Sequence, residues 1–407
     1  MAEESAVDHT LKNPDVLTKY KEAGKISQKV LETVSGWVTE GAKVVELCEK
    51  GDKLLEEEIA KVYKGKKITK GIAHPATFSP SAYVTPYTPL TSDEEEAGAT
   101  LKAGEIVKIQ LGAQIDGFGT IVCDDVPVGK SVGGREADLL LATHYANELL
   151  LRMMLPPGTL ATTDDEKKAA ASQKPYTQSK MNQLLEKVAK SYDCNIVEST
   201  TCWMFERNEI EGTKKIILAP GEGVKGDGIP ALGEVWGVEM GLSLGSGKVK
   251  NFPNRATLHR RTTTTYQLKR PSSKATLSEI VKKFGTFPFS LRQLEDERAA
   301  KVGVVECVRG NVLRQYEVVG EKDSEPVSRL FTTIAITKNG IVKLAGPPTP
   351  DLAQWKSDKK IEDPEILKIL EQPLAKPAST KPKKNKKKKK PATKKADEEE
   401  EESSDEE

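Results

Sequence analysis

The sequence of 407 residues predicts an α+β fold, and three observations carry that prediction. Two helical stretches followed by short β-type segments occur twice in succession, an order that points to two related halves closing on one core. The helices open on capping and proline signals and stop at glycine or proline. The intervening segments are short, rich in Ile and Val, and bounded by turn residues. Periodicity by itself yields no more than α+β.

The first helix starts at Asn13-Pro14-Asp15, where a capping side chain precedes a proline whose missing N–H costs nothing at the first helical position. Val16, Tyr20, Ala23, Ile26, Val30 and Val34 recur at three- and four-residue steps until Gly36 or Gly41 ends the run. A second helix is expected from Asp52 to Tyr63, with Leu54, Leu55, Ile59 and Val62 turned inward. β segments follow around Ile72, from Val107 to Leu111 and from Ile115 to Val122. Arg135 to Leu155, rich in Ala and Leu, predicts a third helix that Pro156-Pro157-Gly158 stops. After a loop from Thr159 to Gln178, helical spacing returns from Lys180 to Ser191 with Leu184, Leu185 and Val188.

A polar, basic insertion spans about residues 248–303 and contains His259-Arg260-Arg261, the threonines Thr262 to Thr265, Tyr266 and Lys269-Arg270. Helices are expected within it from Leu277 to Phe284 and again after Ser290. Asp363-Pro364 opens a short docking helix that ends at Leu370. The expected organisation is a flexible segment over residues 1–12, a folded body over 13–373 and a disordered charged tail over 374–407. Lys, Pro, Ala and Thr in that tail cannot bury enough apolar surface to fold alone.

Charge is concentrated at the C-terminus. Lys and Arg number 62 against 61 Asp and Glu, but residues 381–395 hold ten lysines and no acid, and residues 397–407 hold nine acids and no base. Removing both leaves 52 basic and 52 acidic residues, so the folded body is neutral. Lys383, Lys384, Lys386, Lys387, Lys388, Lys389 and Lys390 form a polycation whose attraction to a phosphate backbone comes largely from counterion release. The same composition suits a nuclear localisation signal. Ser403 and Ser404 lie among the acids, which suits phosphorylation or competition with nucleic acid for those lysines.

Lys66 and Lys67, among the five lysines of residues 61–70, are further candidates for phosphate contact. So are Arg260, Arg261, Lys269 and Arg270 beside Tyr266, whose ring could stack on a base. A solvated basic surface would carry the same residues. Five scattered cysteines with no CxxC spacing indicate free thiols in a reducing compartment. Met1-Ala2-Glu3-Glu4-Ser5 has no signal-peptide character and no long apolar run occurs, so a cytosolic or nuclear protein with no membrane partner is expected.

The stretch Glu105 to Phe118, with Gln110, Asp116 and Gly117, resembles the methionine aminopeptidase family. So do Lys70 to Leu90, the segment Glu234-Val-Trp-Gly-Val-Glu239 and the strand Ser328 to Ile336. The resemblance implies a pita-bread fold with a helical type II insertion, because the 92 residues separating positions 239 and 331 match the type II branch. That insertion has a winged-helix likeness in the family. The resemblance also places the family's two metal-binding aspartates at Gln110 and Ile121, its substrate-facing histidine at Pro86 and its last metal-binding glutamate at Phe331. Glu239 alone keeps its chemistry, as a relic. A metal-binding histidine is sought near Thr200 to Glu206 without success, and His9, His74, His144 and His259 fall at none of the family's positions, which leaves them structural or surface roles.

A neutral amide, a butyl group, a proline and a phenyl ring cannot replace a cation's water shell, so no catalytic residue, no metal and no cofactor are expected. Within the family the phrases Asn13-Pro-Asp-Val, Lys70-Gly-Ile-Ala, Leu140-Leu-Ala-Thr-His-Tyr-Ala-Asn147 and Val302-Gly-Val-Val-Glu-Cys307 resemble the non-peptidase branch. That branch comprises the proliferation-associated, ErbB-receptor-binding and curved-DNA-binding proteins. It implies a pseudoenzyme that binds ribosomal RNA and the large ribosomal subunit near the nascent-chain exit. Roles in ribosome biogenesis, translation and growth control follow, with residence in cytoplasm, nucleus and nucleolus. The same surfaces would suit a transcriptional cofactor on curved DNA, and the vacated apolar cleft or the acidic tail would suit protein partners. An active peptidase would need metal ligands at other positions.

Overall fold

The computed structural model describes residues 8–129, 132–224, 226 and 228–377. The tail lysines from Lys383 to Lys390, the acidic end and residues 1–7 lie outside them.

Helices α1 (Pro14–Ser35) and α2 (Val44–Lys61) come first, followed by strand β1 (Lys70–Pro80), the short helix α3 (Glu94–Ala97), β2 (Ile106–Ile115) and β3 (Phe118–Pro127). Asn13 caps α1 as its sequence predicts, with its side-chain oxygen accepting from the Asp15 amide at 3.0 Å. Helix α2 begins eight residues before the expected Asp52. The Asp52 carboxylate accepts from the Ala76 amide at 2.7 Å and pairs with Arg292 at 2.7 Å, both groups being buried. An acid that looks like a helix start is therefore a tertiary anchor in the middle of the helix.

β2 and β3 form a hairpin through Asp116 (φ 56°) and Gly117 (φ 81°), the left-handed pair that a two-residue turn demands. A side chain at Gly117 would also strike the Asn208 carboxamide. Asp116 is held by Lys19 and Arg207, each at 2.7 Å.

The second half repeats the plan with α4 (Gly134–Met153), α5 (Asp164–Ala171), α6 (Gln178–Ser191), β4 (Asn195–Ile196), β5 (Thr200–Phe205), β6 (Lys215–Leu218) and β7 (Val235–Ser243). Helix α5 occupies what reads as a loop. Thr163 and Glu166 cap it reciprocally, and no residue of it is buried, so it has no apolar stripe to announce it.

After β8 (Val249–Asn251), the region expected to be an insertion contains β9 (Leu258–Arg261), α7 (Pro271–Phe284), β10 (Phe289–Ser290) and α8 (Glu297–Arg309). Strands β11 (Leu313–Gln315), β12 (Val319–Glu321), β13 (Val327–Thr337) and β14 (Gly340–Ala345) and helix α9 (Pro364–Leu370) complete the body. Pro271 starts α7 six residues before the expected Leu277. Leu268, Ile280, Phe289, Val304 and Cys307 give α7, α8 and the small sheet β10-β9-β11 a core of their own.

The main sheet has nine strands along the path β1-β2-β3-β13-β7-β5-β6, with β14 beside β13 and β4 beside β7. Ile109, Leu111, Ala113 and Val122 on one face of the first half pack against α1 and α2. Trp236, Val238, Met240, Ile334 and Ile336 in the second half pack with α4, α6 and α9. β3 and β13 meet through the single register pair Cys123 and Phe331, and that seam joins the two halves. All five cysteines are free and buried. No helix among the described residues is long and apolar enough to cross a membrane.

Candidate functional site

Register decides where the candidate residues go. Gln110 pairs with Cys123, Cys123 with Phe331, and Phe331 with Glu239, so these side chains form one row across β2, β3, β13 and β7. Ile121 and Arg329 lie two residues along their strands from members of the row and share its face. Pro86 lines the same cleft from the loop that Val319 pins through the amides of Val84 and Thr85. The five positions picked out in sequence therefore converge on one cleft of about 290 Å³.

Its floor is apolar. Ile121, Cys123, Phe205, Ile210 and Phe331 belong to one buried cluster, and the Phe205 and Phe331 rings stand 6.3 Å apart. Gly237 permits this, because a Cβ there would sit about 2.5 Å from both rings. Thr200, Thr201 and Trp203 on β5, where a metal-binding histidine is sought, line one wall.

The rest of the cleft is polar, which corrects the expectation of an apolar pocket. Glu211, Arg314, Tyr316, Glu239 and Arg329 all face it. The Tyr316 hydroxyl donates to Glu211 at 2.6 Å, and Arg314 pairs with the same carboxylate. Arg329 is only 3 % exposed. One of its terminal nitrogens donates to the Val84 carbonyl, and its Nε stands 3.9 Å from Glu239. Its Nε and Nη2 have no hydrogen-bond partner among the described residues. Burial raises the Glu239 carboxyl above its ordinary value, Arg329 opposes that shift and Glu211 adds to it. Arg329 is a residue that sequence reasoning missed. Strand alternation held the signal, since it lies two residues before Phe331 and must point the same way.

His74, expected in a structural or surface role, is buried at the edge of the site and holds Gln110. Two irregularities in the β1–β2 pairing flank it and turn its ring toward Gln110. Its Nδ1 lies 2.8 Å from the Pro75 carbonyl, which can only accept, so Nδ1 carries the proton. Nε2 then accepts from the Gln110 amide nitrogen at 3.1 Å. Burial pushes the imidazole down to about 4, consistent with the neutral form. Gln110 thus spends its amide on a histidine and leaves its own oxygen, in a residue 6 % exposed, unpartnered.

This donor set does not fit a dinuclear metal centre. Glu239 faces a guanidinium, His74 has one nitrogen committed to a carbonyl and the other to Gln110, and Gln110, Ile121, Pro86 and Phe331 supply no charged donor. Among the described residues no three His, Cys, Asp or Glu side chains converge as a metal-holding group.

The basic candidates divide. Arg260 is buried and paired with Glu209 and Glu211, so it is spent inside the fold and is withdrawn as a phosphate contact. Arg261 follows it on β9 and points to the other face. Arg261, Lys269, Arg270, Lys66 and Lys67 have no carboxylate partner within salt-bridge distance among the described residues. Lys269 and Arg270 give their backbone amides to Glu306 and leave their side chains exposed beside Tyr266, which is 47 % exposed. Lys66 lies over the Tyr63 ring at 5.5 Å and remains exposed. By contrast Lys61 is paired with Glu58, and Lys70 reaches the Val62 carbonyl at the end of α2.

Comparison with known proteins agrees with this architecture. Residues 18–191 match the model of metallopeptidase family M24. The chain is 38 % identical over 391 residues to a curved DNA-binding protein of Schizosaccharomyces pombe, covering 94 % of this chain and 97 % of that protein. It is similar to the structure of a thermophilic Arx1, with 65 % identity, a TM-score of 0.87 and coverage of 89 % and 99 %. A methionine aminopeptidase of Thermotoga maritima, at 16 % identity, TM-score 0.52 and coverage of 83 % and 99 %, shares the fold. The chain has the pita-bread fold and belongs to metallopeptidase family M24, in the branch of the curved-DNA-binding, ErbB-3-binding and proliferation-associated proteins.

Proposed function

We propose that this protein is a catalytically inactive member of its family that binds RNA and the large ribosomal subunit and serves ribosome biogenesis, translation and growth control. One contrast carries the reading. The cleft that aligns with a metal centre is lined by a phenyl ring, an isoleucine and a guanidinium, while the side chains of Lys66, Lys67, Arg261, Lys269 and Arg270 have no carboxylate within salt-bridge distance among the described residues. Such cations, with Tyr266 to stack on a base, suit a phosphate backbone. The lysines from Lys383 to Lys390 would add attraction that any polyanion feels, and they suit entry into nucleus and nucleolus from the cytoplasm. The acidic end and the cleft remain open to protein partners.

Sedimentation with ribosomal subunits across a salt series tests the proposal. Each phosphate neutralised on a single strand contributes about −0.7 to the slope of log affinity against log salt. With about half of the ten lysines in residues 381–395 engaged, truncation after Lys376 flattens that slope by about 3 and weakens binding most at low salt. An unchanged slope moves the contact to residues 61–70 and 259–270. Glu239→Gln should leave sedimentation unchanged, since Glu239 faces Arg329 inside the cleft and is remote in chemistry from the exposed cations. A large loss in that variant would assign the contact to the cleft.

A second reading, binding to curved DNA, is favoured by the name of the 38 % identical relative. Competition between a curved duplex and ribosomal RNA at one fixed salt concentration separates the two. Preference for the duplex would overturn the ribosomal reading.

A further inference from the structure

A second cavity in the body is separate from the vacated cleft. It measures about 620 Å³ and lies between β3, α4 and the segment after β14. Val132, Leu140, Leu330, Trp355 and Leu370 give it apolar walls, and Pro347, Pro348 and Pro350 form one side. A void of this size with one apolar side suits a small organic group, provided its polar atoms find partners.

Two of its side-chain acceptors have no donor among the described residues. Asp124 lines the cavity, and no hydrogen bond from the described residues reaches its carboxylate. Asn147 on α4 is 3 % exposed, lines the same cavity and has an unpartnered side-chain oxygen. A buried acceptor left unmade is costly, so an occupant that donates hydrogen bonds is favoured.

The cations among the described residues that line it are already committed. Lys343 and Arg152 both hold Glu148, each at 2.7 Å, and Arg152 also donates to the Gln372 carbonyl at 2.8 Å. Asp125 points the other way and is bonded by Ser328 and by the Arg329 amide, with Lys108 nearby. Asp351 accepts from the Ala353 amide and from Gln354. His144 is held toward its neutral form by burial. With Tyr145 on α4, these are the titratable groups among the described residues that line the cavity around Asp124.

We propose that this cavity is a binding site for an aliphatic ammonium group, which pairs with Asp124 and donates to Asn147 while its hydrocarbon stem lies against Leu140, Leu330 and Trp355. Pairing would give the half-buried Asp124 carboxylate a counter-charge and the buried Asn147 oxygen a donor. Trp355 offers an aromatic wall of the kind that favours a cation or its stem.

Protonation supplies an internal check. Partial burial, with Asp125 adding to it, pushes the Asp124 carboxyl up to about 8, so a proton competes with any cation for it near neutral pH. An ammonium ion must displace that proton. Affinity therefore rises by about tenfold from pH 6 to pH 7 and levels off above pH 8, because the ligand selects the ionised form.

Calorimetry on the full chain with hexylamine as probe, at pH 6 to 9 and in buffers of different ionisation enthalpy, tests this. The expected result is one site, with close to one proton released below pH 8 and none at pH 9. Asp124→Asn should lower affinity at least tenfold and abolish the proton release. Asn147→Leu should weaken binding with proton release retained. Nα-acetyl-lysine amide distinguishes the sources: binding equal to that of hexylamine means a partner's lysine can enter, and its exclusion means a free amine.

Equal affinity for hexanol or hexanoate, or binding that does not change with pH, would overturn the proposal. So would the absence of any binding heat at millimolar probe, the result expected of a cavity that holds only water. The pH series and the hexanol comparison use unaltered protein, so they decide the matter even where a variant folds poorly.

Discussion

Replacing Arg292 by leucine is expected to lower folding stability by about 3–5 kcal/mol, because it leaves the buried Asp52 carboxylate without its counter-charge. The two groups stand 2.7 Å apart, with side chains 4 % and 8 % exposed. Arg292 also donates to Thr88 and to the Ala76 carbonyl, so one guanidinium ties the turn before α8 to α2 and β1. Chemical denaturation of the full chain measures the loss. The double variant Asp52→Leu, Arg292→Leu should recover most of it, since removing both charges removes the desolvation cost along with the attraction. A single variant as stable as the unaltered protein would show that water reaches Asp52 and that the pair is not a clamp.

The combined variant Gln110→Asp, Ile121→Asp is expected to regain no peptidase activity and to be less stable by about 2–7 kcal/mol, the cost of burying a polar group without partners. Ile121 is 3 % exposed among Phe205, Phe331 and Ile210, whose side chains offer a carboxyl group no hydrogen bond. Position 86 remains proline and position 331 remains phenylalanine, so the new acids still lack the ligands to share a cation. Elemental analysis and release of Met from a Met-initiated peptide check the first half, and denaturation checks the second. Two tightly held ions per chain with metal-dependent cleavage would overturn the pseudoenzyme reading.

Gln110→Asp alone has a spectroscopic consequence. His74 titrates low, at about 4, so its neutral form contributes stability that is present above the ordinary value of 6.5 and is lost as pH falls toward 4. A carboxylate beside Nε2 favours the imidazolium instead, so the variant's His74 should titrate higher and the acid-labile window should shrink. NMR titration of the imidazole reads this directly.

Much of this was determined by sequence alone. Asn13 and Pro14 set the start of α1, Asp116 and Gly117 the hairpin, and Asp363 and Pro364 the last helix, because capping and turn chemistry act over a few residues. The ordered phrases around Gln110, Glu239 and Phe331 gave the family and the pita-bread fold, and they located five positions that meet in one cleft. What they did not determine is what those residues touch. Asp52 reads as the first residue of a helix and is an ion-pair anchor in its middle, and Arg260 reads as a phosphate contact and is spent on Glu209 and Glu211. His74 reads as structural or surface without a partner named and bonds Gln110, and Arg329 passes unremarked although it brings a guanidinium into the cleft. Each of these partners is distant in sequence, and a charged side chain's role depends on which opposite charge the fold brings within a few ångströms. Local signals fix the elements, while only the register of β2, β3, β13 and β7 decides which charges are buried together and which remain free for a partner.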